Sequence, residues 1–534
     1  MATAYAGSES FMASHQRESV ETGEFHAEPA APAGTRAWAG LALLALPTLM
    51  LGLDLTLLHL TLPAIALDLQ PTSAEALWIV DSYGFFIAGF LITMGKLGDR
   101  IGRRKLLMMG GTGFAMASIL AAFSTHPLML IGARAALGVA GATLMPSTLA
   151  LISNLFVEPR QRALGIGIWT TVWGIGYALG PMVGGLLVER FWWGAPFLIA
   201  VPIAVLLLVF APRWLPEFRA PKRETLDFTS VILSLAAVLP FIYGVKQLPT
   251  SGWASLDSVG VVAIGFFFGA LFVRRQKRMD DPLLDLRLFT HRAFSVALVV
   301  LLVGLMAVGG AMLLVAQFLQ LVAGHSPVDA GLMMGLSALA MIAGGLGAPL
   351  LARAIRPGFV FSGSLGLVVG GYLLLTQLED SPLGVAIALT ALALAYLGNG
   401  TLAALGTELV IGSVSPEKAG SASATSEMAQ DLGISLGIAL LGSLAGGMYR
   451  LSLGKQVPED LAPETREALF DSLWSAVASE LPAELLEQAR SAFLVGIQAT
   501  GTLGAVGLAV VALLSAIALR NIGVRRIDED GERV

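Results

Sequence analysis

Fourteen apolar runs, each close to the length needed to cross a bilayer, constrain this 534-residue chain more than anything else in it. A span needs about 20 mostly apolar residues to cross the hydrocarbon core. No water is available there, so each segment must pair its own backbone N–H and C=O groups, which favours helices. The runs fall near 38–62, 77–95, 106–124, 128–151, 163–187, 195–212, 226–245, 257–273, 293–320, 330–352, 358–377, 382–409, 419–447 and 493–519. They group as six, two and six. This predicts an all-α polytopic membrane protein of two six-helix halves with two extra inserted helices, because such folds are commonly built from repeats. The halves are expected at 37–213 and 276–520. The inserted pair with its flanking loop is expected at 214–275, and the tails at 1–36 and 521–534.

Composition removes several other readings. Only 13% of residues are charged against 55% hydrophobic, about half the charge of a soluble domain. No cysteine is present, which excludes disulfides and thiolate metal sites, and the six histidines show no metal-ligand spacing. No metal, cofactor or nucleic-acid partner is expected. Residues 1–36 are polar and rich in small residues, and read as a disordered tail rather than a cleavable signal. There is no Gly-x4-Gly-Lys-Ser/Thr loop, and no loop is long enough for an ATPase domain, which argues against an ATP-driven pump.

The basic residues orient the chain. Of the 33 Lys and Arg, six lie in the loops opposite the termini: Arg190, Lys246, Arg450, Lys455, Arg466 and Arg490. Arg134 lies inside a span. The remaining 26 fall on the side of the termini, which predicts both termini in the cytoplasm. A twelve-span alternative, with the middle pair not crossing, keeps this orientation. Asp227, Lys246 and Asp257 bracket that pair as span ends would. The long outer loop 449–492 holds Pro458, Pro463 and Pro482 and an amphipathic stretch, Arg466–Ser479, with Leu469, Leu473, Trp474 and Val477 on one face. It reads either as a surface loop lying on the membrane edge or as a cap over the outer mouth.

Three motifs carry a family resemblance. Between spans 2 and 3 stands Gly95-Lys-Leu-Gly-Asp-Arg-Ile-Gly-Arg-Arg-Lys105. Its Gly95, Gly98, Asp99, Arg100, Gly102, Arg103 and Arg104 resemble the signature loop of the major facilitator superfamily. Asp99 can cap a helix or pair with an Arg, latching the inner side, and the basic cluster can anchor to anionic lipid. In span 5, Gly176, Gly180, Pro181, Gly184 and Gly185 resemble the antiporter motif of exporters in that superfamily. Small residues at four-residue spacing let helices approach closely, and Pro181 frees a carbonyl and permits a bend. In span 1, Asp54, Thr56 and Pro63 resemble the motif of the fourteen-helix drug:proton antiporters, although His59 stands where that pattern usually has Asn. Trp78-Ile-Val-Asp-Ser-Tyr83 and Arg134, followed by Gly138 and Gly141, also fit that subfamily. In span 13, Glu427 and Asp431 are similar to the acids of multidrug exporters of the QacA, LfrA and SmvA type, and Glu408 matches a further acidic position. An acid that QacA-like proteins can carry in span 10 is absent from 330–352.

Ionisable groups in spans are costly and functional by default. Those picked out are Asp54, His59, Arg134, Glu408, Glu427 and Asp431. Glu427 and Asp431, four apart, share a helix face, and Asp431 lies roughly 16 Å into its span, near mid-bilayer. A structural pair bonded to Ser426 is the alternative. Asp54 and Arg134 fall at similar depth and are expected to be close, either as a switchable pair or as a fixed packing pair. His59, five positions from Asp54, faces elsewhere and reads most simply as a polar contact. Glu408 either meets incoming cations or sits at the interface with water access. Trp78, Tyr83, Trp169, Trp173, Tyr177, Phe318, Met341 and Tyr396 are candidate pocket-lining residues, since aromatic faces attract desolvated cations and Met adapts its shape.

The resemblance therefore implies no enzyme but a proton-coupled exporter of lipophilic cations, such as quaternary ammonium compounds, biguanides and dyes. It would be a monomer in a bacterial inner membrane, with protons, cationic drugs and lipids as its partners. Export of another amphiphile, such as an anion, peptide or lipid precursor, is the alternative.

Overall fold

The computed structural model describes residues 34–519, except 157, 220–226, 252–255, 280, 281, 283, 415–418, 458–460 and 480. The two expected tails therefore lie outside the described residues, save that helix already begins at Thr35. The crossing helices are α1 (Thr35–Leu69), α2 (Ser73–Ile101), α3 (Arg103–Ala122), α4 (Pro127–Leu155), α5 (Pro159–Arg190) and α6 (Ala200–Trp214). The inserted pair is α7 (Phe228–Ser251) and α8 (Leu256–Gln276). Next come α9 (Arg292–Gln317), α10 (Pro327–Ala354), α11 (Pro357–Leu375), α12 (Pro382–Gly412) and α13 (Ala419–Gln456). Two short helices, α14 (Pro463–Asp471) and α15 (Leu473–Ala478), precede the last span, α16 (Ala483–Leu519). Thirteen of the described helices are long and apolar enough to cross a membrane, and α7 is a shorter apolar helix over Thr229–Gly244. Its 24 residues reach about 36 Å. Below, the near face is the one from which α1 starts, and the far face is the opposite one.

Local chemistry sets the ends of these helices. Thr72 and Glu75 form a capping box at the start of α2. Ser326–Pro327 and Ser381–Pro382 place a capping hydroxyl and a first-turn proline at α10 and α12. The break between α2 and α3 is Gly102, with φ of 114°, a conformation that suits glycine.

The two halves repeat one packing scheme. In the first, α1 lies along α5, α2 along α4, and α3 against α4 and α6. In the second, α9 lies along α13, α10 along α12, and α11 against α12 and α16. The halves meet along two seams, α5 with α10 and α2 with α13. The close approaches in both seams fall in the half of the bundle nearer the far face. A Cβ on Gly185 would lie 2.6 Å from the Pro327 carbonyl carbon, and one on Gly331 would lie 2.9 Å from the Met182 Cα. In the other seam, a Cβ on Gly442 would lie 3.1 Å from the Leu77 side chain, and one on Gly84 3.2 Å from the Ser435 Cβ. Toward the near face the α5–α10 seam parts. A Cβ at Gly174 or Gly167 meets nothing within 4 Å, and Leu339 and Leu346 are 55% and 74% exposed. The space between the halves thus opens to the near face.

The inserted pair is not a separate body. Its α7 leans on α2 and α13: Leu235 fills the notch at Gly89, and Ile242 packs with Phe85 and Ala439. At its near-face base Arg275 bonds Asp227 at 2.8 Å. These hydrogen bonds hold the Asp227 carboxyl down to about 2. At the far face, the amphipathic stretch expected at Arg466–Ser479 is split into α14 and α15 at Ser472, whose side chain caps α15. The Tyr449 hydroxyl donates to the Leu469 carbonyl at 2.7 Å, and Arg450 donates to the carbonyls of Phe470 and Asp471. These bonds pin the loop to α13.

The chain has no cysteine, so a designed cross-link has no background. The Gly84 and Ser435 positions lie near the Cβ spacing of about 3.8 Å that a disulfide spans. A G84C/S435C variant is expected to cross-link on oxidation, to hold the far side shut and to stop transport. Reduction is expected to restore both mobility and transport, read by gel shift and vesicle flux.

Candidate transport site

The antiporter-motif residues do two different jobs. Gly176, Gly180 and Gly184 face α1 in their own half: Cβ atoms there would run into Leu49, Thr56 and Leu57. Gly185 and Pro181 face α10 across the seam. Proline has no N–H, so Pro181 leaves the Tyr177 carbonyl without its helical partner. The Thr56 hydroxyl donates to that carbonyl at 2.9 Å. One residue of the span-1 motif thus repairs what one residue of the span-5 motif breaks. Bonds of this kind within membranes are worth about 0.6–2 kcal/mol. T56V is therefore expected to destabilise the purified protein by about 1 kcal/mol. P181A, which restores the N–H, is expected to recover most of that loss in the double variant, read by thermal unfolding in detergent.

Next to this contact the structure brings Asp54 and Arg134 together. Both are buried, with Nη1 to Oδ2 at 2.6 Å. The guanidinium also donates through Nε to the Ile79 carbonyl at 3.2 Å and lies 4.6 Å from the centre of the Tyr83 ring. Arg134 on α4 therefore holds α1 and α2 at once. Removing one member of a buried pair costs about 3–5 kcal/mol, because the other is left uncompensated.

On the facing half, α13 carries Glu427, half-buried, and Asp431, 3% exposed with its Oδ2 unpaired. Ser426, expected beside these acids, accepts from the Gln430 amide through its carbonyl and hydroxyl. Asp431 lies one turn from Ser435, which meets Gly84 in the seam, so it borders α2 close to Tyr83. The Tyr83 hydroxyl is buried and unpaired. Its ring turns into its own half, edge-on to Phe114 of α3 at 6.4 Å and with its hydroxyl beside Gly141 of α4.

The remaining candidates divide. Trp173 stacks on Tyr177 at 5.5 Å, and Tyr177 meets Tyr396 of the other half edge-on at 6.3 Å. The Tyr177 hydroxyl donates to the Met312 sulfur at 3.9 Å. These aromatics lie where the halves meet. Trp78 instead faces Phe85 and Tyr243 of the inserted pair, and Trp169 bonds the Thr148 hydroxyl within the first half. Both are packing residues here. Phe318 is fully buried in the π turn that ends α9, and Met341 is packed by its backbone against Gly400. His59 is buried, its Nδ1–H directed at the Thr56 carbonyl at 3.1 Å. Glu408 is exposed near the near-face end of α12, away from the buried cluster.

In the Gly95–Lys105 loop, Asp99 accepts from Arg103 at 2.8 Å. Arg104 binds Glu217 and the Leu215 carbonyl, while Arg100 is exposed and Gly95 borders Pro146. These bonds tie α2 and α3 to the end of α6, within one half.

Two residues were missed from sequence. Asp81 is 1% exposed. The apolar run near 77–95 puts it close to a span end, but α2 begins at Ser73, so Asp81 lies about 12 Å into the helix. Asn399 on α12 is also 1% exposed, its amide unpaired and facing Gly304 of α9; no sequence pattern marks it.

A bundle of two repeated halves around buried charges, open to one face, defines a membrane transporter rather than an enzyme. The chain belongs to the Major Facilitator Superfamily, whose model matches residues 44–438. It is 41% identical to the "Multidrug efflux pump LfrA" of Mycolicibacterium smegmatis over 91% of this chain and 97% of that protein. It is 34% identical to the "Methyl viologen resistance protein SmvA" of Salmonella typhimurium over 86% and 93%. Among solved structures it resembles a bacterial homolog of the human lysosomal transporter Spinster, with a TM-score of 0.64 at 16% identity over 91% and 98% of the chains. That likeness concerns the fold.

Replacement of Arg134 by Leu is expected to lower stability by about 3 kcal/mol or more. The D54N/R134L double variant is expected to recover part of that loss, measured by thermal unfolding.

Proposed function

We propose that the chain is a proton-coupled multidrug exporter of lipophilic cations, working by alternating access in a bacterial inner membrane with both termini cytoplasmic. The observation that carries this reading is a set of intramembrane carboxylates on α1, α2 and α13, with Asp54, Asp81 and Asp431 buried and Glu427 half-buried. A carboxylate that can hold either a proton or a cation is the minimal part of such an exchanger. The names of the two relatives, a multidrug efflux pump and a resistance protein against a dication, support the same class of cargo.

With the near face cytoplasmic, the arrangement is inward-facing. A cation enters from the cytoplasm between the parted ends of α5 and α10 and meets Asp431 and Glu427. The aromatic faces of Trp173, Tyr177 and Tyr396 attract it as it sheds water. Arg134 competes with cargo for Asp54, so cargo and the internal ion pair alternate. Rocking of the halves exposes the site outside, where protons take the carboxylates and release the cation. Return and deprotonation inside reset it. Membrane potential contributes about 2.3 kcal/mol per charge per 100 mV, so two protons inward for one monovalent cation outward is driven by both potential and pH gradient.

The test is ethidium flux in energised inverted vesicles. D54N, D81N and D431N are each expected to lower flux at least about tenfold per amount of folded protein. If D54N and D431N both transport normally and no pH dependence appears, proton exchange is refuted. A wild type that never moves a cation points to export of a different amphiphile.

A further inference from the structure

The two seams between the halves differ in how they meet the lipid. Along α2 and α13 the seam is covered by α7, which packs on both helices. Among the described residues no helix covers the α5–α10 seam in this way: besides each other, α5 packs mainly on α1 and α10 mainly on α12. The last close approach in that seam is at Gly335, where a Cβ would lie 3.5 Å from the Ala178 carbonyl oxygen. From there to the near face the two helices part.

The lips of this gap are built for hydrocarbon. Gly167, Thr170, Thr171 and Gly174 recur at helical spacing on the face of α5 that carries Ala178, Pro181 and Gly185 into the closed part. The first three are exposed, and a Cβ on Gly167 or Gly174 meets nothing within 4 Å. The Thr170 and Thr171 hydroxyls donate to the Ile166 and Gly167 carbonyls of their own helix at 3.0 and 2.8 Å. They therefore leave no donor facing lipid, where an unpaired one would be costly. Opposite them, Leu346 of α10 is 74% exposed. No charged residue occurs over 163–188 of α5 or 330–352 of α10. Gly167 to Gly174 lie about 8–18 Å along α5 from the exposed Arg162, a depth that matches the hydrocarbon of one leaflet, about 15 Å.

We propose that this gap is a lateral entrance through which lipophilic cations dissolved in the near leaflet reach the transport site. The inference rests on the proposed export and adds its route: cargo passes from the cytoplasm into the leaflet, then sideways between α5 and α10. Apolar burial and the negative surface of a cytoplasmic leaflet both concentrate such cations there. At the inner end of the gap stand Trp173 and Tyr177 of α5, with Tyr396 edge-on to Tyr177, so a cation leaving lipid meets aromatic faces. Rocking of the halves shuts the gap, and α7 leaves the other seam no equivalent opening.

The chain has no cysteine, so a single introduced thiol can be addressed in the folded protein. G174C places it in the gap. L179C places it about 140° around the same helix, where Leu179 is exposed. In lipid nanodiscs a nitroxide at either position is expected to be relaxed more by oxygen than by an aqueous nickel chelate. Benzyl methanethiosulfonate on G174C is expected to slow both association and dissociation of ethidium at least about fivefold, read by stopped-flow fluorescence. The Kd is expected to stay within twofold, because an obstructed route changes rates and not the equilibrium. The methyl reagent on G174C and the benzyl reagent on L179C are expected to leave the rates within twofold, and dithiothreitol to restore them. Stronger relaxation by the nickel chelate at 174 overturns the proposal. So do benzylated G174C rates equal to those of the methylated chain, or a weakened Kd with association unchanged. A wild type that binds ethidium but moves no cation contradicts the proposed export and leaves the entrance standing. If it binds no ethidium the export reading fails, and the nitroxide at 174, which needs no ligand, decides the entrance.

Discussion

Every polar group that this chain carries into hydrocarbon has to find its partner inside the protein. The bilayer offers neither donors nor acceptors, and an unpaired group costs kilocalories. Pro181 and Thr56 show how this constraint shapes the bundle. The proline breaks a backbone bond within α5 and the threonine of α1 closes it, so the two helices are held in one register. The glycines around that bond let the backbones approach, so α1 and α5 pack as one piece. A first half that moves as a rigid piece is what a rocking mechanism requires.

Arg134 extends the same logic to charge. It is paired with Asp54, bonded to the backbone of α2 and placed over the Tyr83 ring. In the second half Asp431 is buried with its Oδ2 unpaired among the described residues. One half therefore carries a neutralised pair and the other carries acids with spare capacity. This asymmetry, across a seam closed at one end, is the feature on which the proposed cation exchange rests.

Much of the architecture was legible because membrane spans have a simple physical signal. Length and apolarity placed the fourteen runs. The inserted pair was bracketed by Asp227, which now lies in an ion pair with Arg275. The nearness of Asp54 to Arg134 could be anticipated from depth counting alone. Asp81 was lost because a span end cannot be located to better than a few residues in sequence, and a carboxylate at an end looks like an interfacial one. Trp78 and Trp169 read as pocket residues because composition does not say which way a ring turns. Asn399 carried no signal, since a single amide in a long apolar helix is compatible with either face.

Sequence by itself determined the apolar runs, their all-helical character and the two acids on one face of α13. These depend on local spacing, depth and polarity, which one helix contains. Only the tertiary structure decided that the antiporter glycines split their contacts between α1 and α10. It also decided that the Gly95–Lys105 loop braces its own half, and that α7 enters the α2–α13 seam. The closure of the far side and the parting of α5 from α10 toward the near face were likewise decided there. Each of these depends on which helix faces which. That is fixed by packing between segments hundreds of residues apart, which no local pattern records.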